Sequence, residues 1–344
     1  LKARLVAGGH MMDRTIYPDT RSPTVSTDSL LLVVAVAAAE NRRLKAVDIG
    51  NAYLEAAMTG EEVLMTLDAW CTEILVKLDP TALPFVNSRG ELVVRLDKAL
   101  YGCLTSAKEW FEHLRGILLS IGYVQNAYDE CVFNRVVDGV QLTACVYVDD
   151  ILLTSVSEEV LERALTELKK FFLEVKSSEG TDLDYVSLEI DYGGKQSVTV
   201  SMSKYITECL AEWGGNGISS TPNRHDLFDN DDTNVLSDTD REVFHHRVAK
   251  LLYLAKRVRP DILLPISFLA GRVTCCTERD GKALDQVYRY LNGARDLCLV
   301  YPKNVPVHFE AFVDASFGIH CDGTSRTGIV MTVSGVMVSC FSLR

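Results

Sequence analysis

The segment ACVYVDDILLTS, residues 144–155, places two adjacent aspartates, Asp149 and Asp150, between two runs of apolar and β-forming residues. This pattern predicts a β-hairpin with both carboxylates at its tip. Adjacent like charges beside apolar runs are costly unless something compensates them. Mg²⁺, which prefers a few carboxylates together with water and phosphate oxygens, would do so. The alternative is a plain polar turn, because an Asp-Asp pair alone is weak evidence for a metal site.

A third carboxylate ends another apolar strand. Asp48 closes the strand predicted for LKAVD, residues 44–48, and is followed by a helix predicted over residues 51–58. Together with the hairpin acids it could hold two metal ions about 3.5–4 Å apart, which activate an attacking hydroxyl and stabilise a leaving pyrophosphate. The alternative is that Asp48 only caps the following helix.

Composition and charge narrow the class of protein. The 344 residues predict two or three domains. Their 35 Lys and Arg against 47 Asp and Glu give a net charge of −12, whereas nucleic-acid binding favours clustered cations. The longest apolar run, residues 30–39, is shorter than the roughly 20 residues that cross a bilayer, so we expect no membrane partner. Ten cysteines without a C-x-x-C pair indicate reduced, buried thiols in an intracellular protein.

The spacing of apolar residues predicts an α+β chain. Hairpins are predicted around the Asp-Gly pair at 138–139 and around the Gly-Gly pair at 193–194. Residues 214–240, rich in Gly, Asn, Asp, Ser and Pro, form the clearest linker, and the tail after residue 306 is rich in strands. Helices are predicted over about 29–42, 98–122, 157–175, 203–214, 241–262 and 283–294.

An ordered series of motifs resembles a known family. YVDD at 147–150 resembles the catalytic hairpin of reverse transcriptases, and DIGNAY at 48–53 resembles their first carboxylate motif. The order and spacing of further motifs are similar to the copia-type branch of LTR retrotransposons, and the last two resemble the start of its ribonuclease H domain. These motifs are KARLVA (2–7), ALYG (99–102), YLA (253–255), RPDI (259–262), FVDAS (312–316) and SRTG (325–328).

The resemblance implies a right-hand polymerase fold with fingers, palm and thumb, followed by a connection and a truncated ribonuclease H-like strand set. The implied fingers cover roughly 1–45 and 60–110, around a palm built as a split βαβ unit. We expect three domains. They are fingers and palm with the start of the thumb over 1–215, a linker and helical thumb or connection over 216–305, and an incomplete ribonuclease H-like segment over 306–344.

The resemblance also implies a metal site. Asp48, Asp149 and Asp150 would be the catalytic acids and hold two Mg²⁺ ions, for which Mn²⁺ can substitute, with the backbone carbonyl of Ile49 as a further ligand. Tyr147 and Val148 complete the catalytic hairpin. The implied reaction is in-line transfer of a nucleotidyl group from a deoxynucleoside triphosphate to the 3′-hydroxyl of a primer, which is paired with an RNA or DNA template.

Nucleotide-binding residues follow from the same resemblance. Lys2 and Arg4 would contact the triphosphate. Tyr53 would be a steric gate that leaves no room for a 2′-hydroxyl, with an ordinary core tyrosine as the alternative. Tyr101 and Gly102 would lie near the nascent base pair, where Gly allows close backbone approach.

The chain departs from the family pattern at two places. Residues 103–108 read CLTSAK, where the family usually continues with a Leu-Lys-Gln-Ala-Pro-Arg run, so polar contacts near the nucleotide are lost. Ser187 stands where the region of the primer-grip hairpin usually has glycine. We expect these changes to affect catalytic efficiency more than the fold.

Three further features concern an aromatic residue, a cluster of cations and a pair of histidines. Trp110 is expected to be a core residue rather than a platform for base stacking. The cations Lys256, Arg257 and Arg259 are placed to touch phosphates. His245 and His246, adjacent on a predicted helix, point apart and do not form a ligand set.

Asp314 would be the first carboxylate of the ribonuclease H site, and we expect no ribonuclease H activity because further acids of that site would lie beyond Arg344. Two alternatives to the polymerase remain. One is a decayed or repurposed copy that binds primer–template without catalysis, and the other is a metal-dependent nuclease or phosphohydrolase. The family's setting implies other parts of a Gag-Pol polyprotein as partners, and a cytoplasmic virus-like particle with later nuclear entry.

Overall fold

The computed structural model describes residues 4–178, 180–228, 234–318 and 323–344, so the predicted phosphate contact Lys2 lies outside the described residues. In chain order the α-helices of this part are α1 (Thr27–Ala39), α2 (Ala52–Glu55), α3 (Ala69–Leu78), α4 (Ser106–Ser120), α5 (Glu158–Leu168), α6 (Ser203–Trp213), α7 (Asp238–Arg257), α8 (Leu263–Ala270) and α9 (Glu278–Gly293). The strands are β1 (Arg43–Ile49), β2 (Leu64–Leu67), β3 (Leu92–Arg95), β4 (Val124–Gln125), β5 (Val132–Val137), β6 (Val140–Tyr147), β7 (Asp150–Ser155), β8 (Val175–Ser177), β9 (Asp182–Tyr185), β10 (Leu188–Asp191), β11 (Ser197–Ser201), β12 (Leu299–Pro302), β13 (Phe309–Ser316), β14 (Arg326–Val333) and β15 (Val336–Leu343).

Six strands form an antiparallel sheet in the order β4-β5-β6-β7-β1-β8. The predicted Asp-Gly turn joins β5 to β6, with Asp138 and Gly139 both at positive φ, as tight hairpins require. β1, from much earlier in the chain, lies between β7 and β8. The amphipathic helix α5 packs against β6, β7 and β8, which explains why β7 is buried along most of its length. This sheet holds both carboxylate segments.

Helix α4 corrects one prediction, because it begins at Ser106 and not near residue 98. The Ser106 hydroxyl accepts from the Leu100 amide at 3.0 Å and donates to the Leu100 carbonyl at 2.7 Å, which closes residues 100–105 into a turn. Gly102 has φ +93°, and an added Cβ there would lie 2.2 Å from the Ala7 carbonyl oxygen. The N-terminal segment therefore packs directly on this turn, and only glycine fits.

A second sheet, ordered β12-β11-β10-β9, is antiparallel throughout. β12 follows the predicted linker and pairs with β11, which precedes it. The linker is tied to α9 at Ser219, whose amide donates to the Arg289 carbonyl at 3.1 Å and whose hydroxyl accepts from the Gln286 side chain at 2.6 Å. Helices α6, α7, α8 and α9 pack around one another, with the rings of Trp213 and Tyr288 stacked at 5.6 Å.

The tail forms a third antiparallel sheet, β13-β14-β15. Helix α1, apolar on every side, packs against β12, β14 and β15, as expected for a helix without a polar face. α8 also contacts β15, whereas β13 is exposed along most of its length. In the parts of the chain that the structure describes, no helix is both long and apolar enough to cross a membrane.

Candidate active site

The hairpin predicted around the paired aspartates is present. β6 and β7 pair with Tyr147 opposite Asp150, which leaves Val148 and Asp149 as a two-residue turn. Val148 has φ +58°, a left-handed conformation that is uncommon for a β-branched residue. Asp149 and Asp150 are half-buried, so both acids sit at the tip as the sequence predicted.

The strand pairing brings the third acid to this tip. β1 runs antiparallel to β7, with Asp48 directly opposite Asp150, and the Ile49 amide donates to the Asp149 carbonyl at 3.0 Å. Side chains of directly opposed residues have Cβ atoms about 4.5–5.5 Å apart when they share a face. The two carboxylate segments, separated by about a hundred residues of chain, therefore meet at one edge of the sheet.

A cavity of about 330 Å³ opens beside these acids. Two acids, Asp48 and Asp149, line it together with a third, Glu174, and the opposing charges come from Arg4 and Lys176. The remaining lining residues are Ile49, Gly50, Asn51 and Tyr101. A site with both carboxylates and cations has the chemistry to take a divalent ion on one side and phosphate oxygens on the other.

The carboxylates influence one another's protonation. Burial, followed by the charges of Asp149 and Asp48, raises the pKa of Asp150 to about 6. Lys176 lies on β8 directly opposite Asp48 on β1. Its ion pair with Glu174 raises the pKa of the Lys176 ammonium, and the charge of Asp48 adds a smaller contribution. Lys176 therefore contributes positive charge beside both Glu174 and Asp48.

Two tyrosines and an arginine form an aromatic wall beside the cavity, which Tyr101 and Arg4 line directly and which Tyr53 adjoins through its contact with Tyr101. The rings of Tyr53 and Tyr101 lie 4.6 Å apart, and the Arg4 guanidinium lies 5.2 Å above the Tyr101 ring. Burial raises the pKa of Tyr53, and the charge of Asp149 adds to the rise. The structure therefore places Tyr53 beside the acids rather than deep in the core. Its helix, α2, ends at Glu55, short of the predicted 51–58, because Ala57 pairs with Lys98 in an isolated bridge.

Tyr101 and Gly102 lie on the turn before α4. The Ala7 amide donates to the Tyr101 carbonyl at 2.7 Å, so the segment that carries Arg4 is fastened to the same turn. Among the described residues, no three His, Cys, Asp or Glu side chains are already grouped closely enough to hold a metal ion. The strand pairing brings the backbones of the acids to one edge of the sheet, and their side chains would have to turn toward one another to share an ion.

Sequence reasoning missed Glu174, Lys176 and the contact made by Trp110. Lys176 lies on a three-residue strand whose place beside β1 has no local signal. Trp110 is a core residue as predicted, 1% exposed, but its indole N–H also donates to the Val148 carbonyl at 2.7 Å. Only the tertiary structure reveals that contact.

Two other predicted functional residues, Asp314 and Arg259, lie away from this cavity. Asp314 lies on exposed β13 and lines a separate cavity of about 720 Å³ between α8 and the third sheet. The prediction that Arg259 touches phosphates is wrong, because its side chain is 1% exposed. Its guanidinium binds the Asp261 carboxylate at 2.7 Å and the Ala294 carbonyl at 2.8 Å. Arg259 holds the corner between α7 and α8.

The sheet, the acidic hairpin and the cavity with its cations indicate a nucleic-acid polymerase. Residues 1–218 match the family described as "Reverse transcriptase (RNA-dependent DNA polymerase)". Because this is more than half of the chain, the protein belongs to the reverse transcriptase family. This confirms the copia-type resemblance seen in the motifs.

Relatives of this chain come from plant and yeast transposons. Two Arabidopsis thaliana proteins, each named "Retrovirus-related Pol polyprotein" and assigned to transposons RE2 and RE1, are 28% identical over 335 and 338 residues. The alignments cover 96% of this chain and 22% of each relative. A transposon Ty5-1 protein of Saccharomyces cerevisiae is 28% identical over 261 residues, which cover 74% of this chain and 83% of that protein. The chain thus spans about a fifth of the length of the plant relatives.

Proposed function

We propose that this chain is the RNA-directed DNA polymerase of a copia-type retrotransposon, adding deoxynucleotides to a primer 3′-hydroxyl on an RNA or DNA template. The observation that carries the proposal is the pairing of Asp48 with the Asp149–Asp150 hairpin beside a cavity that also contains Arg4 and Lys176. A nuclease or phosphohydrolase could use the same acids, but it gives no role to Tyr53 beside Asp149.

The acids suit a divalent metal ion. Reverse transcriptases generally use such ions, and the mutual repulsion that contributes to the raised pKa of Asp150 is what a cation would relieve. We assign two Mg²⁺ ions, with Mn²⁺ as a substitute, to Asp48, Asp149 and Asp150 with the Ile49 carbonyl. Substrate phosphate oxygens and water would supply the remaining ligands. Bound ions would supply charge neutralisation and activate the attacking hydroxyl.

The cations of the cavity suit the triphosphate. Arg4 can donate two parallel hydrogen bonds to phosphate oxygens, and Lys176 acts as a compact point charge. Arg4 is held over Tyr101, and Lys176 is held by Glu174. Both groups are therefore oriented before a nucleotide arrives, which lowers the entropy cost of binding it.

The aromatic wall suits discrimination between sugars. Tyr53 faces Tyr101 and lies close enough to Asp149 for the aspartate charge to affect its pKa. A ring at this point would leave no space for a 2′-hydroxyl, so we assign Tyr53 as the steric gate. Tyr101 and Gly102 would contact the nascent base pair, and Tyr147 and Val148 would support the reacting acids from the hairpin.

The strands and helices can be assigned to the parts of a right-hand polymerase. We assign the six-stranded sheet to the palm, and β2, β3 and α3 to the fingers. Helices α6 to α9 would form the thumb and connection, and β13 to β15 a ribonuclease H-like strand set. We propose three domains, 1–215, 216–305 and 306–344. The first two share a sheet, because β12 of the second pairs with β11 of the first.

The thumb assignment gives a place for the primer. The Arg257 guanidinium stacks on the Tyr253 ring at 3.5 Å, and the Tyr253 hydroxyl donates to the Ser187 hydroxyl at 3.4 Å, on the β9–β10 turn. A stacked guanidinium beside this turn suits a primer phosphate. Other parts of a Gag-Pol polyprotein would be partners, and a cytoplasmic virus-like particle with later nuclear entry would be the setting.

One observation favours a second candidate, a copy that binds primer–template without turnover. In the altered stretch 103–108, the remaining cation Lys108 is engaged with the Asp19 carboxylate at 2.8 Å. It is thus occupied by a surface ion pair instead of being directed to a nucleotide. This candidate predicts salt-sensitive binding without extension.

Primer extension on a poly(A)/oligo(dT) substrate with Mg²⁺ or Mn²⁺ separates the candidates. We expect extension, reduced by about 10³-fold or more in Asp149→Asn, because charge neutralisation at the reacting phosphate contributes several kcal/mol. Asp182→Asn, an exposed aspartate on β9, is the matched control and should retain activity. Binding without extension would support the second candidate, and cleavage without synthesis would support a nuclease.

A further inference from the structure

Trp110 connects helix α4 to the turn that carries Asp149. Its side chain is 1% exposed, and its ring packs near Phe172 at 5.6 Å and His113 at 6.1 Å. Its one polar atom, the indole nitrogen, donates to the Val148 carbonyl oxygen at 2.7 Å. A buried indole N–H needs a partner, and here the partner is the backbone of the hairpin tip.

That backbone is held in an unfavourable conformation. Val148 has φ +58°, where a β-branched side chain crowds its own backbone. Such residues persist only when surrounding contacts hold them, and they are concentrated at functional sites. The Val148 carbonyl belongs to the turn and not to the paired residues of β6 and β7, so the contact with Trp110 gives it a fixed partner.

The peptide group on the other side of Asp149 is also fixed. The Asp149 carbonyl accepts the Ile49 amide at 3.0 Å. The peptide units before and after Asp149 are therefore anchored by different elements, α4 through Trp110 and β1 through Ile49. Because the backbone fixes the direction of the Cα–Cβ bond, these two hydrogen bonds set the direction in which the Asp149 side chain leaves the turn and so the positions open to its carboxylate.

We propose that Trp110 is a positioning residue for Asp149, acting through its hydrogen bond to the strained Val148 carbonyl. The inference rests on the proposed polymerase function for its effect on catalysis. It also links the nucleotide-binding turn before α4 to the catalytic hairpin, since Tyr101 and Trp110 lie at the two ends of one short segment. A movement of α4 would then shift both the nucleotide wall and the acid.

The test removes the donor and keeps the ring. Trp110→Phe deletes the N–H, and Trp213→Phe is the matched control, because the Trp213 indole also donates a 2.7 Å hydrogen bond, to Asp285 on α9, outside the candidate active site. We expect Trp110→Phe to lower kcat for single-nucleotide addition by about 10- to 100-fold, the effect of misplacing a reacting group by about 1 Å. The KM for the nucleotide should stay within about twofold. Trp213→Phe should leave kcat within about twofold, even if both variants lower Tm.

A second variant tests the role of strain. Glycine adopts φ +58° without penalty, so Val148→Gly should reduce the dependence of the turn on Trp110. The loss of kcat caused by Trp110→Phe should be smaller in the Val148→Gly background than in the wild type. Additive effects in this double-mutant cycle would overturn the proposal, as would a kcat for Trp110→Phe equal to that of Trp213→Phe.

The inference can also fail or succeed without polymerase activity. If the wild-type chain extends no primer, the proposed function fails, and the cycle is read from thermal unfolding. Trp110→Phe and Val148→Gly should then be non-additive in the free energy of unfolding, whereas Trp213→Phe and Val148→Gly should be additive. Additivity of the first pair would overturn the structural part of the proposal.

Discussion

Asp48 and Asp150 are direct partners across the β1–β7 ladder, so two acids far apart in sequence face each other at one edge of a sheet. An antiparallel pair of like charges is unfavourable in isolation. The pair is accompanied by Lys176 on the far side of Asp48 and by a cavity that can admit further cations. The repulsion lowers stability in the absence of cations, and the cations assigned to this site under the proposed function would relieve it.

This repulsion predicts a stability effect in the absence of divalent ions. A carboxyl with a folded-state pKa of about 6, above the unfolded value of about 3.9, favours folding below pH 4 and loses that contribution as the pH rises through 6. Asp150→Asn should therefore stabilise metal-free protein at pH 7 by about 1 kcal/mol after allowance for solvent screening, and not at pH 4. Denaturant unfolding at both pH values measures the difference.

Asp182→Asn serves as the control and should show no such pH dependence. Adding Mg²⁺ should stabilise the wild type more than Asp150→Asn. An ion that binds only the folded state stabilises it, and the variant lacks one of the proposed carboxylate ligands. If the difference in unfolding free energy between Asp150→Asn and the wild type were the same at pH 4 and pH 7, the assigned repulsion would be wrong.

Tyr53 can be tested through the choice of sugar. Tyr53→Ala opens the wall that it forms with Tyr101, and we expect ribonucleotide incorporation relative to deoxynucleotide incorporation to rise by about 10-fold or more. The measurement is the ratio of kcat/KM values for the two nucleotides. Tyr128→Ala, at a fully exposed tyrosine, should leave that ratio unchanged. Unaltered discrimination in Tyr53→Ala would remove the gate assignment.

Lys176 can be tested through nucleotide affinity. Lys176→Gln removes the ammonium group that lines the cavity, and losing one charge-assisted phosphate contact should raise the KM for the nucleotide about 10-fold. The increase should become smaller at high salt, which already screens the charge. Lys170→Gln, at an exposed lysine after α5, is the matched control. Equal KM values for the two variants would exclude a role for Lys176 in binding.

Gly102 can be tested through the N-terminal segment. Gly102→Ala would place a Cβ 2.2 Å from the Ala7 carbonyl oxygen, which should displace the segment that carries Arg4 and raise the KM for the nucleotide about 10-fold. Gly139→Ala is the control, since Gly139 also has a positive φ, +80°, but its Cβ would meet open space. Both variants incur the backbone strain, so a KM rise of equal size in both would contradict the contact.

The sequence by itself determined the local parts of this protein. The two apolar, β-forming runs around Asp149 and Asp150 indicated the hairpin, Asp-Gly at 138–139 indicated the turn before it, and the order of the motifs indicated the family. Ser157 caps α5, at the start of the helix predicted over 157–175, with its hydroxyl accepting from the Val160 amide. These features depend on neighbours within a few residues, which sequence patterns record well.

Only the tertiary structure decided how these parts meet. The placement of β1 between β7 and β8 brings Asp48 to Asp150 and Lys176 to Asp48, and no local pattern specifies which distant strands pair. The packing of Ala7 against the Gly102 turn joins segments about a hundred residues apart, and the burial of Arg259 depends on Asp261 and Ala294. The hydrogen bond from Trp110 to Val148 likewise arises from packing between residues far apart in the chain, because burial leaves each polar atom only the partners that the fold supplies.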